Sequence, residues 1–275
     1  MGKLDGKVAF ITGAGRGQGR SHAVRLAEEG ADIIAVDICA PMPTVPYALA
    51  TPDDLRETAS MVEDRDRRIV ACQADVRSRA QLASAVSDGL AALGHIDVVV
   101  ANAGIMAVPA EGIDEERQWD DALAVMLTGV WHTIKVTVPS MIERGRGGCI
   151  VATGSTGGLR GISDGSGGID GYGAAKHGVN GLVAIYANLL ARHSIRVNSV
   201  HPTGVATPMV MNPTVEAWIG GSGYPPNALP VAAMDPADVS NAIVWLASDD
   251  ARYVTGVALP VDAGNTINTR TVSDD

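Results

Sequence analysis

Short apolar runs rich in β-branched residues alternate along this chain with longer stretches of helical period. The pattern predicts strands over Val8–Thr12, Ile33–Val36, Ile69–Gln73, Val98–Ala101, Ile150–Thr153, Arg196–Val200 and Val257–Val261. It predicts helical segments over Ser21–Glu29, Arg79–Leu93, Glu115–Glu143, Tyr172–Ala191 and Pro236–Ala247. Such alternation implies an α/β fold: a doubly wound parallel sheet, here of seven strands, with helices on both faces. Runs such as Val98-Val99-Val100 agree, because a parallel strand is buried on both sides. With no long linker and no internal repeat, residues 1–275 are expected to form one domain. Three segments break the alternation. Residues 38–52 carry four prolines, residues 157–171 seven glycines, and residues 202–232 mix Pro, Gly, Met, Trp and Tyr. Each directly follows a predicted strand, and ligands of such sheets bind beyond the carboxyl ends of the strands. Residues 38–52 are therefore expected as an insertion lining the site, and residues 205–232 as a lid.

Composition narrows the classes. The 275 residues are 46% apolar and 19% charged, which suits a folded globular chain rather than a disordered one. A net charge of −10 offers no basic footprint for nucleic acid or an anionic membrane, and neither is expected as a partner. Cys39, Cys72 and Cys149 have no metal-ligand spacing, so no metal is expected, and they read as buried or half-buried thiols of a reducing compartment. The N-terminal residues lack an apolar signal core, and no apolar run approaches the length of a membrane span. A cytoplasmic location is the expectation.

The segment Thr12-Gly-Ala-Gly-Arg-Gly-Gln-Gly19 joins the first strand to the first helix. Gly13, Gly17 and Gly19 allow a tight turn and close approach to a pyrophosphate, which the helix N-terminus then binds through free N–H groups. Arg16 and Gln18 lie in the same turn. Asp37 ends the second strand about 20 residues on, where a carboxylate accepts from the adenosine ribose hydroxyls. It would repel a 2′-phosphate, so NAD is expected rather than NADP. Ile38 adjoins the same site. Together these features predict a Rossmann-type nucleotide site.

The spacing Thr-Gly-x-x-x-Gly-x-Gly resembles the short-chain dehydrogenase/reductase family, and further marks follow in the family's order. Asp75-Val76 is similar to the pair that holds the adenine. Asn102-Ala103-Gly104 resembles the family's Asn-Asn-Ala-Gly, with Ala101 at the first position. Pro202-x-Gly204, followed by Val205 and Thr207, resembles the segment that grips the nicotinamide carboxamide. The resemblance covers nearly the whole chain. It implies an NAD-dependent enzyme interconverting an alcohol and a carbonyl compound, and a homotetramer with subunit contacts through helices around 115–143 and 172–191.

Tyr172 and Lys176 are four residues apart and share one face of a helix. A phenol is a poor base at neutral pH until a nearby cation stabilises the phenolate. Tyr172 is thus the expected acid/base and Lys176 its activating cation. The resemblance adds that Lys176 holds the nicotinamide ribose and that Ser155, after the fifth strand, is the catalytic serine. Ser155 precedes Tyr172 by more than the family's usual interval, and Gly165–Gly168 reads as a surface insertion that accounts for the excess. One departure stands out: in Met126-Leu-Thr-Gly-Val130 a thioether occupies the place of the family's catalytic asparagine and cannot replace an amide's hydrogen bonds. His22, His132, His177, His193 and His201 match no catalytic position and read as helix or strand-end residues. Met209, Met211, Trp218 and Tyr224 are expected to form an apolar lid over a lipophilic substrate.

The insertion after Asp37, the string Val200–Met209 and the ending Tyr253–Gly264 resemble the mycofactocin-coupled, carveol dehydrogenase-like subgroup. That resemblance implies tightly held NAD, a terpenoid alcohol as substrate and a peptide-derived redox carrier as electron acceptor. Slow nicotinamide exchange is also expected from residues 38–52, whose four prolines lower the entropy cost of a closed cover, with Val45, Tyr47 and Leu49 on its inner side. Two other readings stay open: a 3-oxoacyl reductase using NADPH, against which Asp37 speaks, and an NAD-binding scaffold impaired by Met126.

Overall fold

The computed structural model describes residues 2–221 and 226–268. Seven parallel strands form one sheet in the order β3-β2-β1-β4-β5-β6-β7. They are β1 (Val8–Thr12), β2 (Asp32–Asp37), β3 (Ile69–Gln73), β4 (Val98–Ala101), β5 (Gly148–Thr153), β6 (Ile195–Pro202) and β7 (Ala258–Val261). The strand order reverses between β1 and β4, where Ala9 pairs with Ile33 on one side and Val98 on the other. That reversal opens the crevice in which a doubly wound sheet binds its ligand.

The helices are α1 (Gly17–Glu28), α2 (Pro52–Glu63), α3 (Arg79–Leu93), α4 (Glu115–Leu123), α5 (Gly129–Arg144), α6 (Gly167–Leu190), α7 (Pro213–Gly221) and α8 (Pro236–Ala247). Alternate residues of the central strands feed two cores. Phe10, Ile34, Val99 and Ile150 pack with α3, α5 and α6 on one face. Ile11, Ile33, Val100 and Val151 pack with α1 and α8 on the other. Each such side chain contributes about 1.5–3 kcal/mol on leaving water, which makes this two-sided burial the main stabilising term.

Several expectations need correction. α2 was not anticipated; Thr51 caps it by accepting the Asp54 N–H, while Asp54 accepts the Thr51 N–H, and Pro52 opens the helix rather than closing the insertion. α7 gives helical structure to a segment read as irregular. α6 starts five residues before Tyr172, at Gly167. Gly167 and Gly168 are therefore not surface insertion: a Cβ at either would overlap backbone, at Glu115 and Ala107 respectively. The exposed part of that region is Ser163–Gly165. Between α4 and α5 the chain forms a π-helical turn, Ala124–Thr128, so Glu115–Arg144 runs as one helical stretch. By length and composition alone this stretch could cross a membrane, contrary to the sequence reading. Here it packs against α3 and α6 as a core helix. Cys39 and Cys149 are buried and Cys72 half-buried, all as free thiols.

Candidate active site

The glycine-rich turn leaves β1 and enters α1 beneath the crevice. Gly13 has a φ of +68°, and a Cβ there would meet Ala103 Cα at 2.8 Å. A Cβ at Gly19 would overlap the Gly13 carbonyl. Only glycine fits this crossing of backbones. Arg16 occupies the N-cap of α1 without a side-chain cap bond, so the first-turn N–H groups keep no intrahelical partner. Above them lies a cavity of ≈ 860 Å³ lined by Gly13, Arg16, Gly17, Gln18, Gly19, Asp37, Ile38, Asp75, Val76, Asn102, Ala103, Gly104 and Thr207. Asp37 is buried, with its carboxylate held by the N–H groups of Gly15 (2.9 Å) and Cys39 (3.1 Å). Asp75 is engaged by Arg77, whose guanidinium also reaches Asp121 at 2.7 Å. The Gln18 Oε1 is buried with no partner among the described residues. Free N–H groups, a fixed carboxylate, an apolar slot and one unsatisfied amide oxygen together fit a dinucleotide.

Residues 38–50 fold over this cavity. Met42, Tyr47, Leu49 and Ala50 line it, whereas Val45, expected on the inner side, is buried in the core beneath. Arg16 donates to the Ala48 carbonyl, and Gln73 Nε2 donates to the Ile38 carbonyl at 3.0 Å. Thr44 donates to Asp121 at 2.6 Å, while Gln118 donates to the Thr44 carbonyl at 3.0 Å. The insertion is thus fastened at several points along its length, and Arg77 and Asp121 connect one fastening to Asp75.

A second cavity, of ≈ 790 Å³, adjoins the first and shares Gln18, Asn102, Gly104 and Thr207 with it. Ser155, Tyr172, Lys176, Pro202 and Val205 line it, so every predicted site residue borders one cavity or both. Lys176 reaches in from α6, donates to the Thr153 carbonyl at 2.7 Å, and has its ammonium 5.8 Å from the centre of the Tyr172 ring. Burial pushes its pKa down to about 8. Ser155 caps a short 3-10 turn, its Oγ accepting the Gly157 N–H at 3.0 Å. Met126 is fully buried in the π-turn and lines the same cavity. The remaining walls are largely apolar: Ile105, Met106, Ile162, Met209, Val210, Trp218 and Ile219. Of the expected lid residues, Met209 and Trp218 face the cavity, Met211 is exposed, and Tyr224 lies outside the described residues.

The histidines divide. His22 is buried between helices with its Nδ1 2.8 Å from Ser240 Oγ, and desolvation pushes it down to about 3. His177 bonds its own helix and His193 the adjacent Arg192. His132 bonds the carbonyl of Val76, a wall of the first cavity. The sequence marks His201 as an ordinary strand-end residue, but its ring lies against Ser155. Its sequence signal was slight, a histidine one residue before Pro202 at the end of a buried strand.

The arrangement joins a dinucleotide crevice to an apolar pocket floored by a serine, a tyrosine and a lysine. Its likenesses are to proteins of one kind. Residues 7–217 match the family model for short chain dehydrogenases. The chain is 55% identical over 266 residues to an uncharacterised oxidoreductase of Mycobacterium tuberculosis, covering 95% of this chain and 96% of that protein. It is 46% identical over 281 residues to the (-)-trans-carveol dehydrogenase of Rhodococcus erythropolis, covering 97% and 100% respectively. The crystal structure of carveol dehydrogenase from Mycobacterium avium in complex with NAD superposes with a TM-score of 0.90 at 48% identity, covering 98% of this chain and all of that one. Fold, motif order and these likenesses agree, and the chain belongs to the short-chain dehydrogenase family.

Proposed function

We propose that this chain oxidises a secondary alcohol carried on an apolar, ring-sized substrate to the ketone, with NAD as hydride acceptor. The observation that carries the proposal is the junction of the two cavities, where Ser155, Tyr172 and Lys176 face a pocket continuous with the nucleotide crevice. NAD, when bound, supplies the carbon that accepts the hydride from the substrate's carbinol carbon. The alcohol proton passes to the Tyr172 oxygen, and the Lys176 ammonium stabilises the phenolate that begins the cycle. Ser155 hydrogen-bonds the substrate oxygen as it becomes a carbonyl. The glycine turn and α1 hold the pyrophosphate, Asp37 the adenosine ribose, and Asp75 and Val76 border the adenine.

The names of the relatives support a terpenoid alcohol such as carveol as the substrate class. The fastened cover formed by residues 38–50 supports tightly held NAD that passes its electrons to a peptide-derived carrier of the mycofactocin type. Exposed Trp119, Trp131, Ile185 and Leu189 on α4, α5 and α6 support subunit contacts there, in a homotetramer of one-domain, cytoplasmic chains. The test is oxidation of trans-carveol by purified protein with an electron-accepting dye. Tyr172→Phe should lower turnover by roughly 10²-fold or more while NAD still binds. Near-parental turnover in that variant eliminates Tyr172 as the acid/base. Met126 favours a second reading, a nucleotide-binding protein of reduced catalytic power, which predicts NAD binding with no dye reduction by any alcohol tried.

A further inference from the structure

Ser155 sits where strand pairing runs out. The last residue of β4, Ala101, pairs with Ala152, and the last registered pair of β5 with β6 is Thr153 with Val200. The Gly154 N–H still reaches the Val200 carbonyl at 2.8 Å. Beyond it, the Ser155 carbonyl accepts the Gly158 N–H at 2.8 Å, and the Ser155 N–H needs another partner.

His201 provides one. Its Nδ1 is 2.9 Å from the Ser155 carbonyl oxygen and 3.2 Å from the Ser155 nitrogen, and its Nε2 is 2.9 Å from Ser199 Oγ. A neutral imidazole has one donor and one acceptor, so Nδ1 serves one of the two Ser155 groups at a time, in one of two arrangements. In one, Nδ1–H donates to the Ser155 carbonyl and the Ser199 hydroxyl donates to Nε2. In the other, Nε2–H donates to Ser199 and Nδ1 accepts the Ser155 N–H. The ring is fully buried, and a Cβ at residue 154 would overlap it, so Gly154 seats the imidazole flat against the chain just before the serine. Ser155 lines the second cavity, whereas His201 stands behind it, outside that lining.

We propose that His201 is a positioning residue for Ser155, clamping its peptide so that the hydroxyl holds one place in the pocket. The proposal rests on the assignment of Ser155, Tyr172 and Lys176 to the acid–base chemistry. His201 touches no reacting atom and acts through the serine. A ring of similar size without nitrogens, His201→Phe, leaves the Ser155 N–H without a partner and the Ser155 carbonyl with the Gly158 N–H alone. His201→Asn returns an amide that can both donate and accept near the Nδ1 position.

The experiment measures trans-carveol oxidation with dye in four proteins: parent, His201→Phe, Ser155→Ala and the double variant. His201→Phe is expected to lower kcat roughly 10-fold, about the worth of one lost hydrogen bond to a buried group, with KM and NAD binding unchanged. In the Ser155→Ala background the same change should cost less than about 2-fold, because residues that act as one unit are not additive. His201→Asn should recover most of the loss. Equal losses in both backgrounds, or no loss in either, overturn the proposal. A second readout needs no turnover: amide hydrogen exchange across residues 153–158 should rise in His201→Phe and return in His201→Asn, with β1 and β4 unchanged. Exchange that rises throughout the sheet, or nowhere, also overturns it. If Ser155→Ala matches the parent in turnover, the serine's assignment fails, while the exchange result still decides the clamp. Should His201→Phe not fold, His201→Asn and His201→Gln are compared in both backgrounds by the same two criteria.

Discussion

The phenolic oxygen of Tyr47 accepts the backbone N–H of Met106 at 2.9 Å. Tyr47 belongs to the cover over the nucleotide crevice, and Met106 to the wall of the adjoining pocket. One bond thus ties the cofactor's lid to the substrate's wall, and desolvation, which pushes this phenol up to about 12, keeps it neutral. Tyr47→Phe leaves the Met106 N–H without its acceptor whenever the cover is closed, at a cost of about 1–3 kcal/mol. Bound NADH should then leave roughly 5-fold faster or more, followed by stopped-flow displacement of its fluorescence. An off-rate equal to the parent's would mean that the cover does not gate the exit.

A second fastening closes the far side of the pocket. Trp218 on α7 donates its indole N–H to Asp164 at 2.6 Å, in the exposed turn that follows Ile162. Trp218→Phe keeps an aromatic wall and removes the donor. KM for an apolar alcohol should rise roughly 5-fold with kcat little changed, the scale of one hydrogen bond of about 1 kcal/mol. Asp164→Ala should reproduce that shift in steady-state kinetics. Unchanged KM in both variants would show that α7 stays closed without this bond.

Lys176 predicts a trade of stability against function. Its burial pushes the pKa from 10.5 down to about 8. Below pH 8 both folded and unfolded chains carry the proton, and the folded one bears the full cost of the buried charge. Between pH 8 and 10.5 the unfolded chain binds the proton more strongly, so stability from this group rises with pH across that window. The gross cost is on the order of 3 kcal/mol, offset by about 1 kcal/mol from the bond to Thr153. Lys176→Met should therefore be inactive with NAD present, yet without cofactor more stable than the parent at pH 7, by on the order of 1–2 kcal/mol in urea unfolding. The gap should narrow towards pH 10. A gap constant with pH would assign the difference to packing.

Met126 and Lys176 both border Gly104, each about 3.8 Å from where its Cβ would stand. An amide at position 126 would place a donor and an acceptor in the neighbourhood of the ammonium. Met126→Asn is expected to raise single-turnover oxidation by roughly several-fold, well below the ~10²–10⁴-fold of a general acid or base, because an amide orients a relay without carrying the proton itself. The same rate in both proteins, with a primary deuterium isotope effect showing that hydride transfer limits, would mean that the relay runs through another group.

The strands and the glycine turn were legible because their signals are local. A parallel strand buried on both faces reads as a short apolar run, and the turn's spacing lies within eight residues. α2 was hidden because its buried face has only Leu55, Thr58 and Val62, behind a proline-rich run that resembles loop. Tyr172 and Lys176 followed from motif spacing and Ser155 from the family resemblance, but the clamp on Ser155 followed from neither. His201 meets it from 46 residues away, through the pairing of β5 with β6. Tyr47 and Met106 are 59 residues apart. Contacts of that kind arise from tertiary packing, and no window of the sequence contains both partners.

The π-turn that holds Met126 also sets an angular phase. Successive residues of an α-helix are about 100° apart, so an uninterrupted helix would rotate Trp131 by roughly 120° relative to Trp119. One extra residue taken up in the wide turn brings that offset back to about 20°. The buried stripe behaves likewise: Gln118 and Ala122 before the turn and Val130, Ile134, Thr137 and Met141 after it all face inward. The turn therefore works as a gear tooth. Winding Ala124–Thr128 as ordinary α-helix with every residue kept would leave α4 and α5 each helical but about 100° out of step, so that only one of them could keep its face on the core, whereas removing a single residue there would close the wide turn and keep the phase.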